Sequence, residues 1–219
     1  VGARLYDNGE TDEGKAYLYL GSVTGPSTIA SWTGESNQTT ARYGRVLSSA
    51  GDINGDGYSD VIVAATYYDN GETDEGRAYL YNGSASGLSA TSSWTAESNQ
   101  ASAWFGYSVS SAGDVNGDGY SDVAVGAYNF SNGTTNEGQS YVYAGSATGL
   151  STTASWTGES DQLNAYYGES ISTAGDVNGD GFSDILVGSY LYDNGESNEG
   201  RTFLYYGNNG PGLGLAPRQ

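Results

Sequence analysis

Gly51-Asp52-Ile53-Asn54-Gly55-Asp56-Gly57-Tyr58-Ser59-Asp60 runs directly into Val61-Ile62-Val63-Ala64-Ala65, and this join of an acidic loop to an apolar run decides the fold. The loop returns at Asp114 to Asp122 and at Asp176 to Asp184, each time 62 residues further on. Every copy reads Asp-x-Asn-x-Asp-Gly-aromatic-x-Asp, with oxygen side chains at loop positions 1, 3, 5 and 9. That spacing wraps a short turn around a hard cation, which takes roughly six to eight oxygen ligands. The glycine at position 6 permits the sharp turn, and the aromatic at position 7 can offer its backbone carbonyl. The pattern predicts three calcium sites. A solvated Asp/Asn/Gly turn is the alternative, because these residues favour turns for their own reasons. Three clustered carboxylates repel one another without a cation, which argues for the metal.

These loops are not EF-hands, which need a bidentate Glu at position 12 between two helices. Position 12 is Val63, Val125 and Val187, inside β-branched runs that read as strands buried on both faces. The repeat then extends through the chain. In its third copy the order is Phe105-Gly106 to Ala112, the acidic loop, Val123 to Ala127, a polar turn at Asn132 to Glu137, Gly138 to Tyr143, a Gly-Ser turn, and Ala154 to Glu159 with Trp156. That is four short strands per unit, with turn chemistry between each pair and no sustained helical period. Four strands at this repeat length predict an all-β chain of antiparallel β-propeller blades. The units divide as a partial blade over 1–42 (end of strand two, strands three and four), full blades over 43–104 and 105–166, a partial blade over 167–208 (strands one to three), and a tail over 209–219.

An aromatic-Gly pair, Ala-Gly-Asp-Val-Asn-Gly-Asp-Gly-Tyr-Ser-Asp at 112–122 and then Val-Ala-Val-Gly-Ala resemble the FG-GAP repeat. That repeat is the blade of integrin α-subunit propellers, of many secreted bacterial proteins and of some fungal lectins. The resemblance runs from residue 1 to about 207. It implies calcium in the turn between strands one and two, held by Asp52, Asn54, Asp56, Tyr58 (backbone) and Asp60. Matching sets are Asp114, Asn116, Asp118, Tyr120 and Asp122, then Asp176, Asn178, Asp180, Phe182 and Asp184. Two departures stand out. Only Phe105-Gly106 keeps the Phe, and no copy keeps the Pro of the Gly-Ala-Pro element.

The net charge of −19 argues against nucleic acid or anionic membranes as partners. Three calcium ions at +2 each would bring it only to about −13. There is no Cys, so calcium stands where disulfide staples would. Such loops load at extracellular calcium, which predicts a secreted or cell-surface location. No transmembrane run and no signal peptide are read. The chain starts within a repeat, as a processed product or an excised piece does. With no His and no Cys, most acid-base and nucleophilic schemes lose their usual groups, and a non-enzymatic chain is expected.

Up-and-down strands alternate their turns between the two ends of a blade. The acidic loop and the Gly-Ser turn therefore share one face. The opposite face collects the hairpins between strands two and three and the links between units, with Arg42, Tyr67, Tyr68, Trp104, Tyr128, Tyr166 and Tyr190. Arg42, Trp104 and Tyr166 occupy one repeat position, so a single scaffold presents three different side chains there. This is the expected ligand surface, for a protein or a carbohydrate. Tyr43, Phe105, Tyr167, Trp32, Trp94 and Trp156 are expected to pack between blades. The acidic hairpins, such as Asp69 to Gly76, read as solvated turns or as weaker cation sites.

About three and a half repeats fall short of the four blades at which propellers close. A homo-oligomer, a filament or flanking repeats is therefore expected to complete the assembly. The function expected is calcium-dependent adhesion, recognition or assembly. A lectin-like carbohydrate binder, a filament-forming structural repeat, and an accessory propeller of a secreted carbohydrate-active enzyme stand as alternatives.

Overall fold

The strands form where β-branched and aromatic residues alternate or run together, and they end at Gly, Asn, Asp and Ser. A computed structural model describes residues 1–210. Among these residues there is no helix. The fourteen strands are β1 (Gly2–Ala3), β2 (Lys15–Leu18), β3 (Trp32–Glu35), β4 (Tyr43–Gly51), β5 (Asp60–Ala65), β6 (Arg77–Tyr81), β7 (Trp94–Glu97), β8 (Ser108–Gly113), β9 (Asp122–Ala127), β10 (Gln139–Tyr143), β11 (Trp156–Glu159), β12 (Tyr167–Gly175), β13 (Asp184–Ser189) and β14 (Arg201–Tyr205). They pair as four antiparallel meanders: β1-β2-β3, β4-β5-β6-β7, β8-β9-β10-β11 and β12-β13-β14. The fold is therefore all-β, with blades of the propeller type. The tail expected at 209–219 lies outside the described residues from 211 onward.

Register repeats as closely as the sequence does. Val63 pairs with Tyr79, Val125 with Tyr141 and Val187 with Phe203. A bulge before each acidic loop shifts the pairing, so that Gly51 faces Asp60 and Gly113 faces Asp122. Such bulges bend a strand end and re-aim the loop that leaves it.

The core lies between blades. One cluster joins the first two sheets through Ala16, Tyr43, Val63 and Tyr79. A second joins the middle sheets through Ile62, Leu80, Phe105 and Val125, and a third joins the last two through Val142, Tyr167, Val187 and Phe203. Each wholly buried apolar side chain of this size contributes about 1.5–3 kcal/mol. Strand-four tryptophans staple neighbouring blades. The Trp32 Nε1–H donates to Ser89 O and that of Trp94 to Ser151 O, both at 2.9 Å. Their rings meet Tyr81 and Tyr143 edge-on at 4.8 Å between centroids. The aromatic-Gly rings pack between blades, as expected, with the Tyr43 and Tyr167 hydroxyls lying against Gly34 and Gly158 of the preceding blade. Tyr43, Phe105 and Tyr167 are fully buried, and the Tyr43 and Tyr167 hydroxyls meet those of Tyr81 and Tyr205 at 2.8 Å.

Neighbouring sheets meet face to face, β1 on β4, β4 on β8 and β8 on β12, and among the described residues the first sheet makes no comparable contact with the last.

Candidate functional site

Each acidic loop is held by its own oxygens. Asp52 Oδ1 and Asn54 Oδ1 both accept from the Asp56 N–H, at 3.1 and 3.0 Å. Asp52 Oδ2 accepts from Gly57 N–H at 2.9 Å, and Asp56 Oδ1 from Tyr58 N–H at 2.9 Å. The same bonds recur around Asp118, at 3.2 and 2.9 Å from Asp114 and Asn116, and around Asp180, at 3.1 and 2.9 Å from Asp176 and Asn178. The side chains at positions 1, 3 and 5 thus gather around one backbone turn in all three copies.

Position 9 is different. Asp60, Asp122 and Asp184 are fully buried at the start of the second strand. Asp60 Oδ2 accepts from Ile53 N–H at 2.9 Å, and Oδ1 from Gly83 N–H at 2.8 Å. One carboxylate therefore ties the acidic loop to the Gly-Ser turn, which places both turns at the same end of the blade. Asp122 repeats this with Val115 and Gly145, and Asp184 with Val177 and Gly207. Burial pushes the Asp60 carboxyl above its ordinary range and that of Asp122 up to about 6, against the lowering effect of these N–H donors. Exposed Asp176 is held below the usual range, chiefly by the Gly181 N–H.

No three acidic side chains converge closely enough to cage an ion among the described residues. The donor chemistry nevertheless fits a hard cation. Each loop offers three carboxylates and one carboxamide, all oxygen, with no soft ligand nearby. An ionised carboxylate oxygen has two lone pairs, so the N–H bonds leave acceptor capacity on every member. Asp52, Asn54, Asp56, Asp60 and their counterparts are the residues that would hold a cation. The first two loops also abut the next blade, through Ser121 N–H to Asp52 O at 3.0 Å and Ser183 N–H to Asp114 O at 2.8 Å.

At the opposite end, six of the seven expected surface residues form one continuous row. Arg42 lies over the Tyr67 ring at 4.6 Å, and Tyr67 meets Trp104 at 5.4 Å. Trp104 meets Tyr128 at 5.3 Å, Tyr128 meets Tyr166 at 5.4 Å, and Tyr166 stacks on Tyr190 at 5.6 Å. The row crosses three blades, is half-buried along most of its length, and ends on an exposed Tyr190.

Tyr68 stands apart from this row. It packs edge-on against Tyr79 at 6.2 Å and under Arg77 at 4.9 Å, joining the core between the first two blades. Strand-two exits recur here, since Tyr6, Phe130 and Tyr192 make the same contact with Tyr17, Tyr141 and Phe203. Sequence reasoning missed Tyr107, 4.0 Å from Tyr128, and Arg45, 3.9 Å over Tyr107. Their position three residues after Arg42 and Trp104 was the available signal.

The acidic hairpins are exposed or half-buried over most of their length, as solvated turns are, but in the first three the closing Glu is not. Glu13, Glu75 and Glu137 are fully buried because the link into the next blade lies across them. Glu75 Oε1 accepts from Asn70 N–H at 2.6 Å, while Oε2 has no hydrogen-bond partner.

The FG-GAP repeat family model matches residues 43–81, 105–143 and 167–205. Among known proteins, integrin alpha-V of Gallus gallus is 37% identical over 139 residues, covering 58% of this chain and 13% of the relative. Integrin alpha-4 of Xenopus laevis is 30% identical over 148 residues, 66% of this chain and 14% of the relative. Integrin alpha-E of Mus musculus is 32% identical over 169 residues, 71% of this chain and 14% of the relative. The chain thus spans only a small part of the relatives that it matches.

Proposed function

The chain belongs to the FG-GAP repeat family, and from that premise we propose that it is an extracellular, non-enzymatic adhesion or recognition module stabilised by calcium at three loops. We divide it into blades at residues 42, 104 and 166, the repeat boundaries. The observation that carries the reading is the triplicate loop. An all-oxygen donor set recurs with the same hydrogen bonds in each copy, beside a buried carboxylate that ordinary solvation does not reach. A divalent cation would neutralise the charge gathered there and fix the turn that joins strands one and two. The chain's own residues do the rest. Asp60, Asp122 and Asp184 anchor the acidic loop to the Gly-Ser turn, and the stacked blades carry that rigidity to the opposite face.

The row from Arg42 to Tyr190 is the face we assign to the ligand. Aromatic rings with exposed edges and two arginines at one end suit a protein hot spot. A carbohydrate is the second reading, favoured by the unbroken run of ring contacts, since sugars stack on such surfaces. Calcium calorimetry on the chelated, refolded chain tests the metal. Binding of three ions is expected, with one site lost in each of Asp56→Ala, Asp118→Ala and Asp180→Ala. Absence of saturable calcium binding in the wild type would overturn the proposal.

A further inference from the structure

The repeat position that holds Arg42, Trp104 and Tyr166 has a left-handed backbone in all three copies, with φ of +55°, +56° and +56°. A bulky side chain there costs about 1–2 kcal/mol that glycine would avoid, and strain of this kind gathers at binding sites. Each of these residues opens a tight turn in which its carbonyl accepts the N–H three residues on. Arg42 O accepts from Arg45 and Trp104 O from Tyr107, both at 3.1 Å. The turn brings residues 42 and 45 side by side, and of the three copies only this one has arginine at both places.

Contacts from these two arginines close a circuit across two blades. Arg42 lies over the Tyr67 ring at 4.6 Å, and Tyr67 meets Trp104 edge-on at 5.4 Å. Trp104 stacks with Tyr107 at 6.5 Å, and Arg45 covers Tyr107 at 3.9 Å. All five side chains are half-buried. Arg45 Nη1 donates to Tyr107 O at 3.4 Å. Among the described residues neither guanidinium forms an ion pair, whereas Lys15 and Arg77 pair with Glu35 and Glu97 at 3.0 and 2.7 Å. Asp74 senses the Arg42 charge without pairing with it: burial, then Asp69, raises its carboxyl above the ordinary range, and Arg42 offsets that only in part. Arg42 Nε and Trp104 Nε1 are buried with no acceptor. A buried donor left unmatched costs about 1–3 kcal/mol. Two unpaired cations and two unmatched donors thus stand in one aromatic frame.

We propose that the circuit of Arg42, Tyr67, Trp104, Tyr107 and Arg45 takes an isolated Asp or Glu side chain of a partner protein, flanked there by apolar or aromatic residues. This rests on the assignment of the row to a ligand and gives that ligand its chemistry. A carboxylate offers two oxygens to guanidinium groups in charge-assisted bonds, and its apolar neighbours pack on the rings. Side-chain rotation of the kind common on docking turns the unmatched donors toward it. The net charge of −19 repels polyanions at long range. One carboxylate on a neutral or basic segment is therefore selected over an acidic polysaccharide.

The test is panning of a phage-displayed random decapeptide library on the 219-residue chain with calcium present. Peptides with a single Asp or Glu beside an apolar or aromatic residue are expected to be enriched. As synthetic peptides they should bind at least about tenfold more weakly once the carboxylate is replaced by the carboxamide, and likewise to Arg45→Gln. Added salt should weaken the wild-type complex by screening the pair. Arg42→Asn, whose new residue tolerates the left-handed backbone, serves as the second variant should Arg45→Gln not fold. Peptides that bind equally well without a carboxylate, yet are lost with Trp104→Ala, overturn the carboxylate while the row keeps its ligand. No enrichment, or peptides indifferent to all three substitutions, overturns both. Saturable binding of an oligogalacturonate that displaces the peptides would overturn the proposal in favour of an acidic carbohydrate.

Discussion

Gly138 and Gly200 stand at the same place in successive blades, with φ of +80° and +76°. Substituting alanine costs each of them about 1–2 kcal/mol of left-handed strain. Their surroundings then separate them. At Gly138 the new Cβ would lie 2.1 Å from the Tyr167 carbonyl oxygen and 2.4 Å from its nitrogen, both backbone atoms. At Gly200 the nearest atom is the Tyr190 carbonyl oxygen at 3.1 Å, which needs only a small adjustment. Clearing the Gly138 clash means moving the link away, an overpacking cost of about 1–3 kcal/mol. The bonds from Tyr166 to Asn136 and from Tyr167 to Glu137 weaken with it, at about 1 kcal/mol each. Gly138→Ala is therefore expected to lose roughly 4–7 kcal/mol and Gly200→Ala roughly 1–2 kcal/mol. The strain is common to both, so at about 2–4 °C per kcal/mol for a chain of this size the first variant should melt at least ~6 °C below the second. Repeat arrays can unfold in parts, so melting in saturating calcium should be paired with exchange of the Tyr166 and Tyr167 amides. Equal melting temperatures with equal protection of those amides would show that the joint is not the rigid contact described.

Chelation should lower the melting temperature markedly, with recovery in calcium and much less in magnesium, which demands a tighter octahedral shell; an unchanged curve in excess chelator contradicts this. Glu75→Gln should raise the melting temperature slightly at pH 7. Burial holds the Glu75 carboxyl above its ordinary range, so the stability linked to its protonation is present below about 4.5 and lost as pH rises through the folded value. The advantage of the variant should therefore shrink toward pH 4.5, and a variant less stable than wild type at pH 7 would mean that the charge is compensated. Trp104→Ala breaks the row between Tyr67 and Tyr128 and should cost about 0.5–1.5 kcal/mol for each ring pair broken. Urea unfolding that leaves its stability unchanged would mean that the row is not packed in solution.

The blade pattern was legible because it is local. Asx-Gly chemistry at a 62-residue interval marks every turn, and apolar runs between the turns mark every strand. The same periodicity placed Arg42, Trp104 and Tyr166 at one end of the stack, since turn alternation depends only on strand count. Tyr67 and Tyr68 show where sequence stops. They are neighbours in the chain, yet one continues the row and the other enters the core between blades, a choice made by the side chains of the adjacent sheet. Glu75 and Glu199 occupy equivalent positions in similar hairpins, and one is buried while the other is exposed. Burial of that carboxylate comes from the next blade, not from its own segment. Local spacing thus determined the turns, the strands and the candidate metal donors, whereas contact between blades alone decided which aromatics form a face and which hairpin carboxylates are buried.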